Sequence, residues 1–411
     1  MSLLWVEGER REGPPFDADP ASLWGHFAVH LEEGGKHLLG RDRLGVQKLF
    51  FARTEDGGVD TDRLLQRLLA RQPAERVFSA PSGDLLVLEG ERTEKRAAPP
   101  LAFAREGTWA DAVPALRAAW ETTLGRLAEA FAGRPVYVTL SGGLDSSTVA
   151  ALAAEHFPDL RALTFRLDGP DEGPVREGDD LHAARRVAAH LGLPLREVSV
   201  DGDAVLALLG EALVHGQDWR DFNVHCALVN AALAQDLEGE GAAVLTGDGA
   251  NELLADYTAV ELEGRTYYEL PRLPRSVVRR FLVRGLDAGD REVGVFARWG
   301  TAVAQPYLLA AEAYAMLPDA FVDDREAKAE LARALVRGRL PELVFTRPKV
   351  RAQCGREGEP GGTLALAARA GIDQEALLER FARLHGVDVA WSRRFIHAGL
   401  YRRLPANETP R

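Results

Sequence analysis

The seven residues Ser141-Gly142-Gly143-Leu144-Asp145-Ser146-Ser147 place two glycines, three hydroxyls and one carboxylate directly after the strand-like run Val136-Tyr137-Val138-Thr139-Leu140. Gly142 and Gly143 let the backbone approach an anion closely, and Ser141, Ser146 and Ser147 add hydroxyl donors. Where a strand gives way to a helix, free backbone N–H groups and the helix dipole favour the same kind of ligand. By its physics this is a phosphate site. Asp145 is the odd member, because a carboxylate beside a polyphosphate repels it unless Mg2+ lies between them. The turn therefore points to a metal nucleotide, against the plainer alternative of a strand-to-helix turn in which Asp145 only aids capping. It is not a Walker A loop, since no Gly-Lys-Ser/Thr follows, and the G-x-G-x-x-G order of a dinucleotide site is missing.

A turn of this kind needs a parallel sheet to present it. After the strand at 136–140 the pattern runs helix (about 146–156), strand (160–167), helix (179–192), strand (195–200), helix (203–216), helix (224–236) and strand (242–247). That βα alternation predicts an α/β fold, a parallel sheet flanked by helices. Residues 23–52 and 78–98 read differently, as short apolar runs broken by Gly-rich turns, which is a hairpin pattern. Pro99 and Pro100 separate them from an amphipathic helix that Thr108 can cap, so the expected boundary divides 1–100 from 101–411. From about 275 to 404 the chain reads as mostly helical, with REAKAELARALVRGRLP at 325–341 the clearest amphipathic segment. The segment 168–180, rich in Gly, Pro and acids, reads as a mobile loop.

The chain has 411 residues and a formal charge of −12, with 62 acidic against 50 basic side chains. That balance argues against nucleic acid or an anionic membrane as partner and favours a small or cationic substrate. Two cysteines, Cys226 and Cys354, are too few for a disulfide framework and read as free thiols. No signal-like N-terminus and no run of about 18 apolar residues occur, so a soluble, cytoplasmic protein is expected. His182, His190, His215 and His225 lack metal-ligand spacing and are read as structural or surface residues.

The segment SGGLDSS, 141–147, resembles the pyrophosphate loop of the ATP pyrophosphatase superfamily. Three further segments narrow the likeness: AVLTGDGANELLADY at 243–257, LPELVFTRPKVRAQCG at 340–355 and GRDRLGVQKLFFA at 40–52. In this order they resemble the signatures of the asparagine synthetase family, which includes β-lactam synthetase, carbapenam synthetase and lasso-peptide cyclases. The resemblance implies an adenine nucleotide α-hydrolase-like synthetase domain with a largely helical C-terminal part, preceded by a small β-rich remnant of an Ntn-type glutaminase domain. It implies a reaction in which ATP activates a carboxylate as an acyl adenylate, releasing pyrophosphate, and an amine then forms the amide with loss of AMP.

Carried over by residue, Ser141, Gly142, Gly143, Ser146 and Ser147 would hold the β,γ-phosphates, and Asp145 would bind Mg2+. Leu140, Phe165 and Gly247 match positions whose backbone meets adenosine, although the Phe165 side chain reads equally as a core aromatic. Asp248 stands where relatives carry a catalytic glutamate or tyrosine and would take or hold a proton of the attacking amine. Lys349 matches the lysine that stabilises the transition state; Arg347 and Arg351 beside it read either as part of that site or as surface charges. The stretch 354–362 reads as a closing loop or as a surface segment.

Two departures qualify the resemblance. The family's second metal-binding aspartate is Asn251 here, a weaker ligand, so Mg2+ would lean on Asp145, phosphates and water, or on Glu252. Glutamine-dependent members also begin Met-Cys, whereas this chain begins Met1-Ser2 and resembles only the later half of the glutaminase domain. The expected substrates are a small-molecule or peptide carboxylic acid and an amine from a source other than glutamine hydrolysis in this chain. The expected protein partner is a second copy or a separate amidotransferase. An intramolecular lactam or macrolactam cyclase, sulfur or nitrogen insertion into a nucleobase, and a degenerate nucleotide-binding scaffold are the competing readings.

Overall fold

The computed structural model describes residues 3–15, 23–97, 99, 101–169, 175–177, 179–262, 264–287, 290–324, 326–347, 355–356, 359–397 and 400–405. Its N-terminal part contains β1 (Leu3–Val6), β2 (Glu9–Glu12), β3 (Phe27–Glu33), β4 (Lys36–Arg41), β5 (Phe50–Arg53), β6 (Val59–Asp62), β7 (Val77–Ser79), β8 (Leu85–Glu89) and β9 (Arg92–Arg96). They form two antiparallel sheets, ordered β2-β1-β3-β4-β8-β9 and β6-β5-β7. Alternation sends Trp5, Leu39, Leu86 and Leu88 of the first sheet and Phe51 of the second into one small core. The turn after β4 is pinned by its own polar residues. The Asp42 carboxylate accepts from the backbone N–H groups of Leu44, Val46 and Gln47 at 2.9–3.2 Å, and the Arg41 guanidinium donates to the carbonyls of Gln47 (2.8 Å) and Ala80 (2.9 Å).

The second part opens with the helix Trp109–Ala130, whose Thr108 hydroxyl accepts from the Asp111 N–H as expected of a cap. Next come β10 (Val136–Thr139), β11 (Arg161–Asp168), β12 (Leu195–Asp201), β13 (Ala243–Leu245), the hairpin β14 (Val260–Leu262) and β15 (Arg265–Tyr267), and β16 (Ala302–Ala304). The order β12-β11-β10-β13-β16 is parallel throughout. From β10 the chain builds outward to β12, then returns to the other side of β10 with β13. The strand order thus reverses between β10 and β13, where ligand crevices of open parallel sheets lie. Helices cover the sheet, and a core including Trp120, Tyr137, Val149, Leu163, Val244 and Phe296 runs between the layers.

Where structure and expectation differ, the causes are local. The helix after β10 runs Leu144–Ala153, because Gly143, with extended backbone angles, serves as its N-cap and brings Asp145 into the first turn. The single helix expected over 203–216 is two, Gly202–Ala207 and Leu209–Gly216. Strand β16 is too short for a periodic pattern and is fixed by pairing with β13. Residues 170–174 and 178 of the acidic loop, and most of 351–358, lie outside the described residues. Among the described residues no helix is long and apolar enough to cross a membrane.

Candidate active site

The loop after β10 is wound tightly around its own hydroxyls. Ser141 N–H donates to Ser146 Oγ (3.2 Å), the two serine hydroxyls share a hydrogen bond (3.1 Å), and Gly143 N–H donates to Ser141 Oγ (3.3 Å). Gly142 has φ +71°, and a Cβ there would sit 2.4 Å from Ala183 Cβ, so only glycine lets the loop cross the following helix, Asp180–Leu191. Gly247, after β13, has the same duty from the other side: its Cβ would lie 2.8 Å from Ser146 N. The Ser147 hydroxyl is buried and has no hydrogen-bond partner among the described residues. A glycine cradle, an orphaned hydroxyl and a helix start together suit the oxygens of a polyphosphate.

Lys328, on the helix Ala327–Val336, joins the two strand ends. Its Nζ lies 2.7 Å from Asp145 Oδ1 and 2.9 Å from Asp256 Oδ2, and donates to Asn251 Oδ1 at 3.0 Å. Burial pulls the ammonium pKa down, but the Asp145 and Asp256 carboxylates outweigh it and the net shift is upward, so Lys328 is charged. Arg347 reaches the same loop, donating to the Ser141 carbonyl (3.3 Å) and pairing with Asp180. It is a buried tether and not a surface charge.

Beyond β13, Asp248 faces a cavity of about 290 Å3 that Glu252, Tyr257, Tyr268, Arg291 and Glu292 also line. The Arg291 guanidinium donates to Asp248 Oδ1 at 2.9 Å and lies 3.8 Å from Glu252 and 3.9 Å from Glu292. Burial opposes its charge, but the neighbouring Asp248 and Glu252 carboxylates hold it firmly protonated. Glu292 has the opposite fate. Burial first, then the adjacent Asp248 carboxylate and the hydrogen bond they share, push its carboxyl well above the usual range. Thr246 Oγ1 (2.7 Å) and Gln305 Nε2 (2.5 Å) donate to Glu292 Oε2 and fix its orientation. The Tyr257 hydroxyl donates to Glu252 at 2.5 Å.

Of the residues expected from sequence, the loop at 141–147 and Asp248 with Gly247 lie at the ends of neighbouring strands. Leu140 follows β10, its N–H donating to the Leu163 carbonyl, and Phe165 lies on β11 partly packed against the core. Asp145 and Asn251 meet at Lys328, whereas Glu252 turns to Tyr257 and Arg291. Lys349, Arg351 and Cys354 lie outside the described residues. Sequence reasoning missed Lys328, Arg291 and Glu292. Only the amphipathic pattern of 325–341 carried any signal, for the first.

The donor set therefore fits a polyphosphate but does not by itself enclose a dication: Asn251 is neutral, and an ammonium already bridges it to Asp145. No group of three or more His, Cys, Asp or Glu side chains arranged to hold a metal occurs among the described residues.

The fold and loop define the class: an α/β protein with its crevice at the switch point of a parallel sheet. Residues 126–314 match the family model of asparagine synthase. Asparagine synthetase B [glutamine-hydrolyzing] of Escherichia coli is 23% identical over 324 residues, covering 73% of this chain and 54% of that protein. Carboxyethyl-arginine beta-lactam-synthase of Streptomyces clavuligerus is 29% identical over 244 residues, 55% of this chain and 45% of the relative. A tRNA-specific 2-thiouridylase MnmA, of Acidobacterium capsulatum, is 38% identical over a shorter stretch of 117 residues, 25% of this chain and 30% of that one. Over these residues the chain is similar to asparagine synthetase-like proteins, and it spans about half the length of the first of these relatives and less of the others.

Proposed function

We propose that this chain is an ATP-dependent, AMP-forming amide synthetase that adenylates a carboxylic acid and passes the acyl group to an amine. The observation that carries the reading is Lys328, which touches Asp145 of the phosphate-type loop and Asn251 three residues after Asp248. Lys328 thus ties the loop to the turn that follows Asp248. In the first step a substrate carboxylate oxygen bonds to the α-phosphorus and the bond to the β-phosphate oxygen breaks. The loop N–H groups, Ser141, Ser146, Ser147 and Lys328 would hold the departing pyrophosphate. In the second step the amine nitrogen bonds to the acyl carbon, the bond to AMP breaks, and the proton passes to Asp248. Arg291 and Glu292 would keep Asp248 aimed for that transfer.

The amine is one not supplied by glutamine hydrolysis within this chain. A closed lactam or macrolactam is the intramolecular form of the same chemistry. The test pairs two readouts on wild type and Asp248→Asn over a panel of acids and amines. Pyrophosphate exchange into ATP should persist in Asp248→Asn, while amide formation falls by about 100- to 10,000-fold. Acid-dependent exchange absent from the wild type would leave a nucleotide-binding scaffold as the better reading. Equal amide yields from both proteins would remove Asp248 from the mechanism.

A further inference from the structure

The N-terminal part lines the crevice at Lys48 and meets the segments behind it at two further buried places. Lys48, 1% exposed, follows the turn pinned by Arg41 and Asp42, and with Val46 it lines the same cavity as Asp248. Its Nζ donates to the carbonyls of Gly45 (2.6 Å) and Val46 (3.0 Å) in its own turn, and to that of Leu286 (3.0 Å) on the other side. His26, after the first hairpin, accepts from the Gln305 N–H at 3.0 Å, and Gln305 in turn holds Glu292. The Leu65 N–H donates to Gln217 Oε1 (2.7 Å), whose amide nitrogen lies 3.5 Å from Asp290 Oδ2. Asp290, fully buried, has Lys48 and Arg63 as countercharges, both from the N-terminal part.

All three links converge on the segment from Leu286 to Gln305, which carries Arg291 and Glu292. A lysine at this depth is an unusual choice for mere filling, because desolvating an ammonium is costly and an apolar side chain of similar volume packs as well. What it supplies is directed hydrogen bonding to a carbonyl across the junction.

We propose that the N-terminal part is a wall and brace of the acyl-transfer pocket, and that Lys48 is a positioning residue. By holding the Leu286 carbonyl it fixes the segment that sets Arg291 and Glu292 against Asp248. The inference rests on the reading of Asp248 as the acyl-transfer acid, but its first test does not.

That test is hydrogen exchange of the full chain, comparing wild type with Lys48→Met, Lys48→Arg and His26→Ala. In Lys48→Met the amides of 283–293 should exchange at least about 10-fold faster, while those of 136–153 stay within about twofold. Lys48→Arg, which keeps a donor, should restore part of the protection. Acyl transfer should fall about 10- to 100-fold with the KM for ATP within about twofold, since a displacement of about an ångström at an aiming group costs that much. If Lys48→Met does not fold, His26→Ala carries the same two readouts through Gln305. Unchanged exchange over 283–293 in the folded variants overturns the inference, as does an equal loss of pyrophosphate exchange and acyl transfer. A wild type inactive with every acid overturns the proposed function and leaves the exchange result standing.

Discussion

Replacing Lys328 by methionine tests whether its charge serves the ligand or only the fold. The ammonium makes two contacts with ionised oxygens, at 2.7 and 2.9 Å, and one hydrogen bond to a neutral amide, at 3.0 Å. At about 1.5–3 kcal/mol for each charged partner and about 1 kcal/mol for the neutral one, these sum to roughly 4–7 kcal/mol. Methionine recovers part of that by apolar packing, so a loss of about 3–5 kcal/mol in unfolding free energy is expected. Asp256→Asn removes one of the two carboxylates that Lys328 neutralises. In that background the same substitution should cost about 1.5–3 kcal/mol less, a coupling that a urea-unfolding double-mutant cycle resolves. Catalysis should not recover with stability. If Lys328 meets the charge on departing pyrophosphate, Lys328→Met/Asp256→Asn remains about 100- to 1000-fold slower per folded molecule in pyrophosphate release. A coupling below about 0.5 kcal/mol would contradict the geometry. A double variant with the wild-type rate would refute the functional role and leave Lys328 as a charge balance for two aspartates.

Gly142→Ala should displace the loop, because its Cβ falls 2.4 Å from Ala183 Cβ at φ +71°; a drop of more than about 10-fold in ATP affinity by calorimetry is expected, and unchanged affinity would remove the loop from nucleotide binding. Glu7 gives a pH signature: burial chiefly, moderated by the hydrogen bond from the His26 N–H, raises its pKa from 4.5 to about 8. The folded state then holds a proton that the unfolded chain has released, so this contribution, complete below about pH 4.5, is lost as pH rises toward about 8 at up to about 1.4 kcal/mol per unit. Glu7→Gln should flatten that decline, and urea midpoints that fall in parallel for both proteins between about pH 5.5 and about pH 8.5 would show that Glu7 is not its source.

What the sequence made legible is what local chemistry dictates. The loop at 141–147 could be read because its glycines and hydroxyls act through their own backbone, within one turn of chain. Asp248 was legible only through the resemblance of 243–257 to a family signature, and the structure adds that the strand before it pairs with β10. Lys328 could not, since on an amphipathic helix a lysine reads as solvated, and only the packing of that helix over the loop turns it inward. Arg291 and Glu292 lie in the bland stretch Gly289-Asp290-Arg291-Glu292-Val293-Gly294, and their meaning comes from Asp248 across the crevice. Lys48 was hidden differently: the Arg-Asp turn that precedes it was legible as a motif, but not that the turn would abut the other part of the chain.

These placements also recast Asn251, the residue that argues most for a degenerate site. Taken alone it is a weakened metal ligand. Beside Lys328 it is the neutral third corner of a cluster whose other corners, Asp145 and Asp256, already match one ammonium with two carboxylates. A third carboxylate at 251 would add a negative charge where pyrophosphate must sit, and like charges within a few ångströms are costly unless a dication intervenes. Asparagine keeps the oxygen that Lys328 needs without adding that charge. In the proposed reaction the substitution would shift neutralisation of the phosphates toward Lys328.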